Sequence, residues 1–277
     1  MKSIFITGAT RGIGRETALF FARRGWSVFG CGRNESLIDE LNALAKKENI
    51  ACDIFRMDVT KQDEIERGIA RLMEATDGKG VDVLVNNAGY QELCPIEDLS
   101  MEGWRNQFET NVFGYLEMIR RLAPKMREQK RGRIINIASI AGRVTFPIYG
   151  AYSATKHAIE AISDALRMEL KPFGVKVSII EPGPMITHIN ITGYDRLAKN
   201  RPAVTGYTRL YDAGPKRLAS LEANSYPAVW VSEKIWKAAT ATFPKQRYGV
   251  TRIWWAIVIL KKFLPGKLQD FILMRSV

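Results

Sequence analysis

Apolar residues fall along the first two thirds of this chain in short runs that alternate with segments of helical spacing. Residues 3–7 form an apolar run closed by glycine, and 12–24 carry apolar positions three and four apart. Together they read as strand, turn and helix. The alternation continues with apolar runs at 27–31, 50–57, 81–85, 133–138 and 175–181, separated by helical periodicity at 34–48, 61–75 and 100–129. Strands that alternate with helices of this length predict an α/β domain. Past residue 188 the pattern changes. Residues 188–230 are rich in Gly, Pro, Tyr and Asn with no clear period and are expected to be irregular. Residues 253–260 form one more apolar run, Ile-Trp-Trp-Ala-Ile-Val-Ile-Leu, followed by Lys261 and Lys262. That run is far short of the ~20 residues that span a bilayer. It either packs, covering an apolar pocket or a dimer contact, or lies on a membrane surface as an amphipathic segment.

Composition narrows the choice. With 277 residues, 46% hydrophobic, the chain can bury one full core, so 1–277 is read as a single domain with 252–277 as an apolar extension. Cys31, Cys52 and Cys94 show no metal-ligand spacing and fit free thiols in a reducing, cytoplasmic setting. The amino end runs straight into the first strand, so no secretory signal is expected. The net charge of +12 suits nucleic acid, an anionic membrane or an anionic ligand. Lys and Arg are spread without a recognisable nucleic-acid motif, and the cluster at 125–133 reads as a solvated helix end, so no nucleic-acid partner is expected.

The chemistry concentrates in residues 139–156. Tyr152 and Lys156 are four apart, which puts a phenol and an ammonium on one helix face. A phenol ionises near pH ~10, and lowering that pKa by ~3 units takes on the order of 4 kcal/mol, which a nearby cation in a partly dry site can largely supply. Ser139, at the end of the 133–138 run, can join them from a strand end. At the other end of the chain, Gly8, Gly12 and Gly14 allow a pyrophosphate to approach the start of a helix. The second strand ends in Gly32-Arg33-Asn34, with no carboxylate for ribose hydroxyls. Arg33, with Arg11 in the glycine turn, suits a 2'-phosphate, so NADP is expected rather than NAD.

Thr7-Gly8-Ala9-Thr10-Arg11-Gly12-Ile13-Gly14, Asn86-Asn87-Ala88-Gly89, Asn111, Ser139, Tyr152, Lys156 and Pro182-Gly183 occur in this order. The pattern resembles the short-chain dehydrogenase/reductase family over roughly residues 1–190, in particular its members acting on steroids, retinoids and other lipophilic carbonyls or alcohols. The resemblance implies a doubly wound Rossmann-type fold, with helices on both faces of a mainly parallel sheet ordered 3-2-1-4-5-6-7. It implies reversible hydride transfer between NADPH and a carbonyl or secondary alcohol. Tyr152 would be the general acid or base, Lys156 would lower its pKa and hold the nicotinamide ribose, Ser139 would bind the substrate oxygen, and Asn111 would support proton relay. Gly8, Thr10, Arg11, Gly12, Ile13, Gly14, Arg33, Asn34, Asp58, Val59, Asn87, Ala88, Gly89, Tyr152, Lys156, Pro182, Gly183 and Thr187 would hold the cofactor. Asp58 contacts the adenine amine in that picture, or else caps the start of the next helix. Asn111 lies inside a helix, where its amide competes with the backbone, and predicts a local distortion. Residues 188–230 would be the substrate lid, and the protein a homo-oligomer, a homodimer in the simplest case. His157 and His188 are given no catalytic role. The rival reading is a non-catalytic NADPH-binding regulator on the same fold, against which the intact Ser139, Tyr152 and Lys156 argue.

Overall fold

The computed structural model describes residues 2–275; residue 1 and residues 276–277, the outer ends of the expected domain and extension, lie outside the described residues. Its strands are β1 (Ser3–Thr7), β2 (Ser27–Gly32), β3 (Cys52–Arg56), β4 (Val83–Asn86), β5 (Gly132–Ile137), β6 (Val175–Glu181) and β7 (Arg247–Gly249). They form one sheet ordered β3-β2-β1-β4-β5-β6-β7, parallel throughout. The expected order is the observed one. Ile4, Phe5 and Ile6 of central β1 are all fully buried, because helices cover both faces and both sides of the strand need apolar side chains.

The first helices are α1 (Gly12–Ala22), α2 (Glu35–Lys47), α3 (Gln62–Ala75), α4 (Met101–Phe108), α5 (Gly114–Glu128) and α6 (Gly150–Leu170). After β6 come α7 (His188–Lys199), α8 (Thr208–Asp212), α9 (Gly214–Ala223) and α10 (Val229–Thr240), and after β7 come α11 (Arg252–Phe263) and α12 (Gly266–Arg275). On one face α1 meets α10, where the rings of Phe21, Trp26 and Trp236 pack at 5.1 to 5.8 Å between centroids. On the other, Ile65, Leu72, Met118, Leu122 and Leu170 cover Phe5, Leu84 and Ile134.

Two expectations need correction. The strands expected at 50–57 and 81–85 begin later, at Cys52 and Val83. The helical stretch read over 100–129 carries the local distortion expected at Asn111, a π turn at Glu109–Phe113 that inserts an extra residue and turns Asn111 fully inward. Residues 188–230, expected to be irregular, are mostly helical. Their composition misleads because the glycine in α7 serves close packing: a Cβ on Gly193 would sit 2.8 Å from Gln91 Oε1. Pro215 stands in the first turn of α9, where a missing N–H costs nothing.

β1 has β2 on one side and β4 on the other, so the chain winds outward in both directions from it. The carboxyl ends of the strands flanking this reversal are where an open α/β sheet leaves a crevice. None of the helices among the described residues is long and apolar enough to cross a membrane.

Candidate active site

The glycine turn after β1 is held by the strand beyond it. Thr7 Oγ1 accepts from the backbone N–H groups of Asn87 and Ala88 at 2.9 and 3.0 Å, and Asn87 Nδ2 donates to the Thr7 carbonyl at 2.8 Å. Gly8 and Gly12 have φ of +66° and +51°, which side chains resist, and a Cβ on Gly14 would lie 2.1 Å from the Gly8 carbonyl oxygen. No side chain caps the start of α1, which leaves its first N–H groups without a side-chain partner. Thr187 stands across from the turn, its methyl 3.1 Å from where a Gly12 Cβ would be. Thr10 packs against Gly32, Ile13 packs onto the core, and Gly89 lies against Asn111. A pyrophosphate fits this cradle: it has open backbone donors, a helix start and no side chain in the way.

The end of β2 also suits an anion. Arg33 pairs with Asp58 at 3.6 Å, yet its side chain is 68% exposed. Asn34 caps α2 by accepting from the Leu37 N–H at 3.0 Å. Asp58 Oδ1 accepts from both the backbone and the hydroxyl of Thr60, while its own N–H donates to Glu64. Asp58 therefore caps the turn before α3, whose N-cap position belongs to Lys61. Val59 is buried beneath Gly114.

Tyr152, Lys156 and Ser139 come together as the spacing anticipates. Tyr152 and Lys156 are buried on α6, with the ammonium 5.6 Å from the Tyr152 ring centre. Ser139 continues β5 and starts a short 3-10 turn, its Oγ accepting from the Ala141 N–H at 3.1 Å. The Ile140 N–H donates to Pro182 O at 3.0 Å, tying the ends of β5 and β6 together; a Cβ on the next residue, Gly183, would lie 2.7 Å from Thr251 Oγ1. Burial pushes the Tyr152 phenol above its ordinary range, against opposing hydrogen bonds from Ser139 and Gln91. The same burial lowers Lys156 to about 7 while Glu160, one turn along, opposes it. Lys156 Nζ donates to the Ile137 carbonyl at 2.8 Å. In the protein alone, desolvation outweighs the mutual help of phenol and ammonium. Asn111 Nδ2 donates to Tyr90 O at 3.0 Å and to Thr155 Oγ1 at 3.2 Å, and its Oδ1 accepts from the Tyr90 N–H at 3.1 Å. The π turn thereby locks the segment after Gly89 to α6.

Beside this group opens a cavity of 460 Å³, walled by Ser139, Tyr152, Gln91, Tyr149 and Phe146 and by Tyr194 and Arg217 from the helices after β6. Ile253 of α11 reaches its edge. Sequence reasoning missed Gln91, Tyr149, Tyr194 and Arg217. Tyr149 could have been found, since it precedes Tyr152 by three residues and their rings lie 6.4 Å apart. Gln91 and Arg217 leave no local signal, because their role depends on long-range packing. Also unforeseen is the group behind Lys156: fully buried Glu181 accepts from Arg143 Nε and, at 2.7 Å, from Trp254 Nε1 of α11. Glu160 accepts from Arg247 Nε at 2.9 Å.

Residues 2–196 match the family described as short chain dehydrogenase. The uncharacterized oxidoreductase YbbO of Escherichia coli (strain K12) is 34% identical over 98% of this chain and 94% of its own length. The NADPH-dependent 3-dehydrocapnine reductase of Ornithobacterium rhinotracheale is 34% identical over 90% of this chain and 88% of its own. Among solved structures, a short-chain dehydrogenase from Streptomyces avermitilis superposes with a TM-score of 0.79 at 29% identity, covering 98% of this chain and 93% of that one.

Proposed function

We propose, on the premise that this chain belongs to the short-chain dehydrogenase/reductase family, that it is an NADP(H)-dependent oxidoreductase interconverting a lipophilic carbonyl compound and its secondary alcohol. The observation that carries this reading is the Tyr152 hydroxyl, buried beside Ser139 in the wall of a cavity whose other surfaces are largely aromatic and aliphatic. The glycine turn, the start of α1, Arg33 and the Pro182-Gly183 turn would hold NADPH, which supplies a hydride when bound. In the reductive direction Ser139 Oγ and Tyr152 Oη hold the carbonyl oxygen, and Tyr152 gives its proton to that oxygen as negative charge develops there. A raised phenol pKa keeps that proton in place until the alkoxide, a far stronger base, draws it away. Lys156 lies behind Tyr152, and a cation there steadies the phenolate left by the transfer. Asn111 fixes the floor of the site through Tyr90 and Thr155.

NADP over NAD is supported by Arg33, exposed at the end of β2 with no carboxylate in Gly32-Arg33-Asn34, and by a relative whose name states NADPH dependence. Arg33→Ala should raise the Kd of NADPH by about tenfold or more while NADH binding barely moves. Equal losses for both would remove the NADP reading. The reaction itself is tested by following NADPH absorbance with a panel of apolar ketones and small aldehydes, and the reading fails if small polar carbonyls outrun every large apolar one. Three free thiols support a cytoplasmic setting. Exposed Phe113, Met168 and Phe173 support a homo-oligomer, which sedimentation would measure.

A further inference from the structure

The cavity that receives the substrate is not uniformly apolar. Arg217, on α9, lines it, and Arg217 Nε is fully buried without a hydrogen-bond partner. Among the described residues no carboxylate pairs with this guanidinium. Other half-buried arginines have partners: Arg143 is paired with Glu181 and Glu160, Arg247 with Glu160 and Asp164, and Arg133, which has no carboxylate, donates to the Ala238 carbonyl at 2.7 Å. The groups facing Arg217 are instead the phenols of Tyr149 and Tyr194, which remain neutral because burial raises both. Lys216, the neighbouring residue on α9, also lines the cavity and is exposed at its rim.

A half-desolvated cation with no counter-charge is unfavourable unless something brings an anion to it. A protein that needed only an apolar wall here could have used leucine, as it does at Leu221 of the same cavity. The guanidinium is a planar fork suited to a carboxylate or a similar oxyanion. It acts on Tyr149, whose ring centre is 6.4 Å from that of Tyr152, so it stands one aromatic ring beyond the reacting group.

We propose that Arg217 is a specificity-determining substrate contact, and that the substrate of this cavity is an amphiphile with an acidic group several bonds from the carbonyl, bound by Arg217 with Lys216 at the rim. The inference rests on the reductase reading above for the identity of the cavity, but its test need not.

A medium-chain ketone bearing a terminal carboxylate is compared with its methyl ester, in wild type and in Arg217→Met and Arg217→Lys. The wild type should favour the acid by about tenfold or more in kcat/KM, the size of one charge-assisted contact. Arg217→Met should lose that preference through KM with kcat little changed, and Arg217→Lys should keep part of it. Independently of turnover, calorimetric titration with decanoate and decanol should show decanoate binding weakened by salt in the wild type and lost in Arg217→Met, with decanol unaffected by either. A wild type that turns over acid and ester equally, or binds decanoate no better than decanol, overturns the proposal even if Arg217→Met fails to fold. If no carbonyl is reduced while decanoate binding still depends on Arg217, the anion site stands and the reductase reading falls. If esters are reduced and the acid gains nothing, the reductase reading stands and the anion site falls.

Discussion

Tyr152 is where a single atom separates structure from chemistry. Removing its hydroxyl in Tyr152→Phe leaves the buried ring and its contact with Tyr149, so the fold and the glycine turn are untouched. Turnover should fall by about a thousandfold or more while the Kd for NADPH, read by cofactor fluorescence, stays within roughly twofold; a variant with near-normal turnover would falsify the assignment. Lys156 makes a separate, thermodynamic prediction. Burial brings its amine from 10.5 down to about 7, so between those values the unfolded chain holds a proton that the folded chain has released. The stabilisation from this group is therefore fully present above 10.5 and is lost as pH falls toward 7, and the cofactor-free protein should grow more stable as pH rises through that window. Urea melts across the window should show this slope in the wild type and a flatter one in Lys156→Met, and equal slopes would mean that Lys156 does not titrate there. At this scale much was legible beforehand. Tyr152, Lys156 and Ser139 could be grouped because helical spacing and a strand end are local facts. What spacing could not carry was the sign of the balance: the ammonium was expected to lower the phenol, whereas burial raises one and lowers the other, and burial is decided by the whole fold.

Among the elements, α11 has the least obvious purpose and the clearest internal contact. Its Trp254 donates to Glu181, whose carboxylate is wholly buried at the end of β6 beside Arg143. Trp254 also covers Gly249, where any Cβ would fall 2.2 Å from the indole. Trp254→Phe keeps most of the apolar contact and removes one donor from a buried charge, so it should cost about 2 kcal/mol of stability in denaturant unfolding. A loss under about half a kcal/mol would indicate that water replaces the indole N–H. The sequence and the structure part company mainly in the helices between β6 and β7. Strands flanked by glycine and helices with regular period, such as β1, α1, α2 and α3, are legible because their signals lie within a window of ten residues or so. The π turn was legible only as a misfit, through Asn111. The helices of 188–230 were hidden because their apolar positions are partly filled by Tyr and Asn: buried Asn190, Gly193, Tyr194 and Leu197 line one face of α7 at helical spacing, but half of them are not apolar.

Taken as a whole, the molecule carries a charge of +12, and α11, the first of the two helices after β7, is apolar on both sides. The inner side of α11 is accounted for: Trp254, Ile257 and Leu260 pack on Ile140, Val144 and Phe146, the segment that walls the cavity. The outer side is not. Trp255, Ile259 and Phe263 follow one another four residues apart and are 65%, 55% and 68% exposed. Isolated exposed apolar residues are ordinary, but an aligned stripe next to Lys261, Lys262 and Lys267 has the form of a helix lying in a membrane interface. A surface position there would also suit a substrate dissolved in lipid, since the same helix reaches the cavity edge through Ile253. Replacing Trp255 and Phe263 together by serine removes the aromatic part of the stripe and leaves Ile257 and the site in place, at the cost of the edge contact between the Trp255 and Trp254 rings, 4.6 Å between centroids. Co-sedimentation with vesicles containing anionic lipid should fall by about tenfold or more, because each aromatic buried in the interface contributes roughly 1.5–3 kcal/mol. Binding of the wild type should weaken with salt as the lysines are screened. Reduction of a small water-soluble aldehyde should not change, because cofactor turn, Tyr152, Lys156 and Ser139 all lie upstream. If vesicle binding is absent or unaltered and the double variant instead sediments as a smaller species, the stripe is a contact between copies of the chain, and the membrane reading is wrong.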